Sequence, residues 1–190
     1  MNKKILSYIF AIAVAVTIIL LVQPMMDDYK EKNQYDFTVT TIDGELKKDD
    51  FKGKAFAIYF GYMYCPDVCP TSLSSLATAL KTFDDSRLEN FKGLFISVDP
   101  ERDTLKNLKE YSEYFHPTFL GATSNKENID NITKNYGTYY EMVSLENSAM
   151  GYSVSHTSYI YIFDKEGNFV SKVDHFANPT QIKEVLEKVL

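Results

Sequence analysis

The first stretch of the chain has no polar period at all. From Ile5 to Val22 it reads ILSYIFAIAVAVTIILLV, in which only Ser7 and Thr17 are clearly polar and no residue is charged. As a helix rising about 1.5 Å per residue, this run spans about 27 Å, close to the hydrocarbon thickness of a bilayer. Lys3 and Lys4 precede it, whereas Asp27, Asp28 and Glu31 share the following stretch with Lys30 and Lys32. That bias predicts an N-terminus kept in the cytoplasm and a body exported across the membrane. A cleaved signal peptide is the competing reading, but Ala11, Ala13 and Ala15 lie inside the apolar run rather than after it. No cysteine adjoins the run to carry a lipid. Residues 1–22 are therefore expected to form one transmembrane anchor, 23–35 a polar tether containing Pro24, and 36–190 a single domain.

Beyond the tether the periods change. Phe37, Val39 and Thr41 alternate with polar neighbours, and Asp43-Gly44 supplies a turn before Leu46, which predicts a small peripheral β-hairpin. AFAIYF (55–60) is a continuous apolar run before a glycine, the pattern of a strand buried on both faces in a mostly parallel sheet. Leu73, Leu76, Ala77 and Leu80 follow at helical spacing, with Pro70 where a first-turn proline is tolerated. LFISV (94–98) reads as a second buried strand, so the three segments make a βαβ crossover with parallel strands.

Asp103 is the expected cap of a helix whose apolar positions are Leu105, Leu108, Tyr111 and Phe115, ended by His116-Pro117. A short strand at Phe119-Leu120 follows. Ser124 and Glu127 form a capping-box pattern ahead of Ile129, Ile132 and Tyr136, with Gly137 as the stop. Residues 143–156 show no clear period and read as a loop. TSYIYIF (157–163) and NFVSKV (168–173) make a β-hairpin, and a last helix starts at Asn178-Pro179 and buries Ile182, Val185, Leu186 and Val189. The order is that of an α/β thioredoxin-like fold with an N-terminal β-hairpin and an inserted helix, preceded by the transmembrane helix.

Composition narrows the function. Hydrophobic residues make up 45% of the 190 and charged residues 24%, which excludes both a disordered chain and a polytopic membrane protein. The formal charge of −6 offers no basic surface for a phosphate backbone, so nucleic acid is not an expected partner. Only two cysteines are present, Cys65 and Cys69, in the segment Tyr62-Met63-Tyr64-Cys65-Pro66-Asp67-Val68-Cys69-Pro70. That segment leaves the carboxyl end of a predicted parallel strand, where ligands gather in open α/β sheets. Asp99 leaves the second such strand at the same edge. His156 joins them there if the strand after it runs antiparallel to the central pair.

The cysteine spacing alone admits two chemistries. A disulfide needs its sulfurs at about 2.05 Å, and two thiolates sharing a metal at about 2.3 Å each lie about 3.7 to 4 Å apart. A short loop at a helix start reaches either geometry, although the usual exchange motif has two intervening residues rather than three. His156 tips the balance towards a metal, copper ahead of zinc, because a closed zinc site wants four ligands and only three are evident.

At these residues the sequence resembles the Sco/SenC proteins, copper-binding assembly factors for cytochrome c oxidase. CPDVCP after a buried strand, Val98-Asp99-Pro100-Glu101-Arg102-Asp103-Thr104, and His156 placed 87 residues after Cys69 carry the resemblance, which covers nearly all of residues 35–190. It implies one copper ion, Cu(I) or Cu(II), held by Cys65, Cys69 and His156. It also implies work on the dinuclear copper centre of oxidase subunit II by a single-pass protein of the inner membrane, its domain on the periplasmic side, where the N-terminal helix meets membrane lipid.

Copper binding needs thiolates, so a redox disulfide between Cys65 and Cys69 would abolish the site. A periplasmic copper donor and a thiol reductant are therefore expected partners. The alternative activity is that of a thiol-disulfide oxidoreductase reducing the oxidase's copper-ligand cysteines; on the first reading the protein is not an enzyme. Asp99 is the candidate acceptor for the second nitrogen of His156.

Overall fold

The computed structural model describes residues 3–146, 148 and 150–190, and of 3–7, 9–11 and 27–33 the backbone alone. Its two compact units are Met1–Tyr35 and Asp36–Leu190. In the first, helix α1 (Lys3–Gln34) runs unbroken with Pro24 inside it. The stretch expected as a polar tether is thus helical as far as Gln34. Met25, Met26, Lys30, Glu31 and Lys32 are strong helix formers, and one proline removes a single ladder hydrogen bond without ending the helix. Among the described residues no helix is long and apolar enough to cross a membrane. Residues 1 and 2 of the expected anchor, and the side chains of 5–7 and 9–11 within its apolar run, lie outside the described residues.

In the second unit, β1 (Thr38–Thr41) pairs antiparallel with β2 (Gly44–Lys47), Thr41 facing Gly44. The reversal therefore falls on Ile42 and Asp43, and Gly44 opens the second strand at φ 124°, a conformation that costs a side-chain-bearing residue. A 3-10 turn, Lys48–Phe51, buries Phe51 and leads into β3 (Ala55–Gly61), all seven of whose residues are buried. Helix α2 (Val68–Leu80), the short helix α3 (Asp85–Leu88) and β4 (Phe91–Ser97) complete the crossover, with β3 and β4 parallel and Ile58 opposite Leu94.

Helix α4 (Leu105–Phe115) then leads to β5 (Phe119–Ala122), parallel to β4. After α5 (Lys126–Tyr136) come β6 (Tyr140–Ser144), β7 (Tyr152–His156), β8 (Tyr159–Phe163), β9 (Phe169–Asp174) and α6 (Pro179–Leu186). The main sheet has the order β5-β4-β3-β8-β9, with β8 antiparallel to β3 and to β9.

Alternation along β3 divides the core into two layers. Phe56 and Phe60 pack on one face with Phe163, Tyr161 and, from α5, Tyr136; the Phe56 and Phe163 rings stack at 4.6 Å. Tyr59 turns to the other face beside Phe95, whose ring lies 5.2 Å from that of Tyr111 on α4. These aromatics, nearly all fully buried, supply much of the hydrophobic stabilisation.

Three local expectations differ from the structure. Thr104, not Asp103, caps α4, its side chain accepting from the Asn107 N–H. Asn125, not Ser124, caps α5 by accepting from Asn128 N–H, while Gly137 ends that helix at φ 64° as expected. Residues 143–156, expected as a loop, form most of an antiparallel hairpin, β6 with β7, in which Tyr140 faces His156 and Met142 faces Val154. Most of β6 is exposed on both faces, so no burial imposes an alternating pattern on its sequence.

Candidate metal centre

Both cysteines lie at the carboxyl end of β3. The chain leaves Gly61, turns with Cys65 N–H bonded to the Tyr62 carbonyl at 3.3 Å, and enters α2, in whose first turn Cys69 sits. Cys69 is fully buried, Cys65 partly exposed, and both are free thiols. Gly61 makes room for the buried sulfur, since a Cβ there would lie only 2.8 Å from Cys69 Sγ. Its need for a glycine was not evident from the sequence.

His156 arrives from the other side. It ends β7, one residue before the connection to β8, and because β8 runs antiparallel to β3 the start of β8 lies at the cysteine edge. Its Nε2 is 3.3 Å from Cys69 Sγ. The donor atoms of Cys65, Cys69 and His156 all lie within 4.8 Å of one another. Among the described residues this is the one group of three or more His, Cys, Asp and Glu that can hold a metal.

Asp99 does not meet His156. It accepts instead from Arg102 Nε at 2.5 Å and from the Tyr152 hydroxyl at 2.8 Å. The His156 Nδ1 faces the Thr157 carbonyl oxygen at 3.1 Å, with Ser158 Oγ at 3.4 Å. A carbonyl needs a donor, so Nδ1 carries a proton, and Nε2 is the ring nitrogen turned to the cysteines and available to a metal. A backbone carbonyl one residue away thus does what the sequence reading asked of Asp99. Tyr59 and Tyr62 present their rings edge-on to the imidazole, at 6.2 and 5.9 Å, and restrict its tilt.

The two sulfurs are electrostatically unequal. Cys65 is pulled down to about 3, first by the hydrogen bond from the Cys69 side chain, then by His156 and the N–H groups of Cys69 and Asp67, with burial opposing. Cys69 is pushed up by burial and then by Cys65 beside it. One thiolate is therefore ready at neutral pH, and the second proton leaves when a cation takes its place. Two soft thiolates and one imidazole in one cluster suit a soft, low-coordinate metal ion; with three donors the set falls one short of a closed zinc site.

A family model described as SCO1/SenC matches residues 25–190. The chain belongs to the SCO1/SenC family. The family's curated members include an SCO2-like protein of Rickettsia prowazekii, 34% identical over 152 residues that cover 80% of this chain and 72% of the relative. Among solved structures, Arabidopsis thaliana ScoI with copper bound is 32% identical with a TM-score of 0.74, covering 81% of this chain and 96% of that one. Yeast Sco1 with copper bound is 34% identical with a TM-score of 0.69, covering 81% and 86%. The thioredoxin-like α/β fold expected from the sequence is thus that of the family.

Proposed function

We propose that this chain binds one copper ion through Cys65, Cys69 and His156 and serves as a copper-delivering assembly factor for the dinuclear centre of cytochrome c oxidase subunit II. The observation that carries the reading is the convergence of two sulfurs and one imidazole nitrogen, from segments 87 residues apart, within 4.8 Å. Copper seated on family members with the same fold supports it. A site of three donors at the open edge of the sheet also suits cargo that has to leave again. The Cys65–Cys69 disulfide is on this account the empty state, reached from the Cys65 thiolate and Cys69 thiol by loss of two electrons and one proton, and a thiol reductant restores the metal-binding form.

The uncharged run Ile5–Val22 after Lys3 and Lys4 is read as a single-pass anchor in the inner membrane, with Asp36–Leu190 on the periplasmic side. Oxidase subunit II and a periplasmic copper donor are the partners this placement requires. Titration of the reduced chain with Cu(I) against a chelator is the test: one tight site, weakened by His156→Ala, is the expected result, and no stoichiometric copper would refute the reading.

A second reading, thiol-disulfide exchange on the oxidase's copper-ligand cysteines, is favoured by the inequality of the sulfurs. Cys65 is the partly exposed thiolate suited to attack, and Cys69 the buried thiol suited to resolve the mixed disulfide. Under it, Cys65→Ser abolishes disulfide reduction and His156→Ala leaves it intact.

A further inference from the structure

The loop that leaves β4 supplies none of the three donors, yet it grips both segments that carry them. On the cysteine side Asp103, 2% exposed, accepts at Oδ2 from Ser97 Oγ at 2.6 Å and from the Met63 N–H at 3.0 Å, two residues before Cys65. On the histidine side Arg102 donates through Nη1 to the carbonyls of Tyr152, at 2.9 Å, and Met150, at 3.3 Å. Its Nε holds the fully buried carboxylate of Asp99, which also accepts from the Tyr152 hydroxyl.

The Arg102 guanidinium carbon lies 3.7 Å from the ring centroid of Tyr152 on the hairpin, and 5.1 and 5.8 Å from those of Tyr64 and Tyr62 on the cysteine loop. It therefore sits between the two segments. Tyr62 in turn meets His156 edge-on. The loop itself is closed, with Asp99 N–H on Ser97 Oγ and the N–H groups of Arg102 and Asp103 both on the Asp99 carbonyl.

The β6–β7 hairpin needs such a hold. Most of its residues are exposed or half-buried, Val154 alone of the two strands being buried, and a two-stranded ribbon with so little buried surface is marginal on its own. Its base is tied by the Thr157 N–H to the Tyr139 carbonyl at 2.8 Å, while its far end is tied by Arg102. We infer that residues 97–103 form a brace that keeps the histidine-bearing hairpin in register with the cysteine loop, with Arg102 as the positioning residue for His156. A planar guanidinium is suited to this, because it bonds carboxylate and carbonyls in its plane while stacking on tyrosine with its face. Lysine has the charge without the fork.

The consequence for copper rests on the copper reading above; the brace itself does not, and its first test uses no metal. Amide hydrogen exchange is measured on the full-length, metal-free chain in detergent, for wild type and Arg102→Lys. Exchange in β6 and β7 is expected to quicken by about tenfold or more, the effect of losing one charge-assisted bond, while β3 and β4 keep their wild-type rates. Unchanged exchange in the hairpin overturns the brace, and so does equal acceleration throughout the main sheet. Should Arg102→Lys not fold, Tyr152→Ala, which removes the ring and hydroxyl that Arg102 and Asp99 hold, carries the same expectation and the same overturning results.

The second arm measures Cu(I) affinity for Arg102→Lys, His156→Ala and the double variant. If Arg102 acts through His156, the losses are less than additive; full additivity overturns that assignment. Failure of the wild type to take up Cu(I) refutes the copper reading instead, and the exchange result still decides the brace.

Discussion

Gly61→Ala tests the metal centre at its tightest point. A Cβ on Gly61 would stand 2.8 Å from Cys69 Sγ, 2.9 Å from Phe95 Cε2 and 3.0 Å from Tyr59 Cε1. Ordinary contact needs about 3.5 Å or more, so each neighbour has to retreat by about half an ångström. All three are walled in, being no more than 1% exposed. Overpacking of this kind costs about 1–3 kcal/mol, against which the stiffer unfolded chain returns about 0.4–1 kcal/mol. The net loss is up to about 2.6 kcal/mol, a fall in Tm of up to about 10 °C for a domain of this size. Displacing the sulfur also exceeds the roughly 0.2 Å to which a metal–ligand bond is held, so copper affinity falls on the order of 10- to 100-fold. Thermal unfolding of the metal-free protein and chelator competition with Cu(I) measure the two effects separately. A variant with wild-type Tm and wild-type affinity would refute the reasoning.

Three further outcomes follow from the same geometry. Because Cys65 is pulled down to about 3, its alkylation rate by iodoacetamide stays nearly flat between about pH 5 and pH 8, and Cys69 is labelled only on unfolding; a steep rise of the Cys65 rate towards pH 8 contradicts this. Burial, more than any neighbour, pushes the Asp103 carboxyl up, so the folded chain holds that proton after the unfolded chain has released it. The contribution to stability is complete below the unfolded value and is lost as pH rises through the folded one. Asp103→Asn therefore removes this slope from Tm measured against pH, and an unaltered slope speaks against it. Phe60→Ala, emptying the layer shared with Tyr136 and Tyr161, is expected to cost about 3–5 kcal/mol in urea unfolding, and a cost under about 1 kcal/mol would show that layer to be loosely packed.

What could be read in advance follows the burial. AFAIYF and LFISV are apolar at every position but Ser97 because both faces of β3 and β4 are covered, and that pattern announces a central parallel sheet before any coordinate is known. The spacing of Cys65 and Cys69 against a strand end, and a histidine ahead of an antiparallel strand, located three donors for the same reason: topology brings those edges together. The β6–β7 hairpin was hard to read because β6 is exposed on both faces and carries no period; in β7, Tyr152, Val154 and His156 do alternate with Ser153 and Ser155, over a face on which only Val154 is buried, and Arg102 holds the far end. Gly151 at φ 71° before Tyr152 and Val154 was the one local sign of a reversal. Asp99 was placed at the right edge but given the wrong partner, because a carboxylate beside Arg102 is claimed by that guanidinium before an imidazole can reach it. The tether hid its helix behind Pro24.

The central claim is that Cys65, Cys69 and His156 together hold one copper ion. Copper stoichiometry of the reduced full-length chain tests it most directly, measured for wild type, Cys65→Ser, Cys69→Ser and His156→Ala. The account predicts one copper per chain in wild type, none retained against a chelator when either cysteine is replaced, and weakened retention when His156 is replaced. Wild-type copper binding in the cysteine variants, or no bound copper in the wild type, would contradict it.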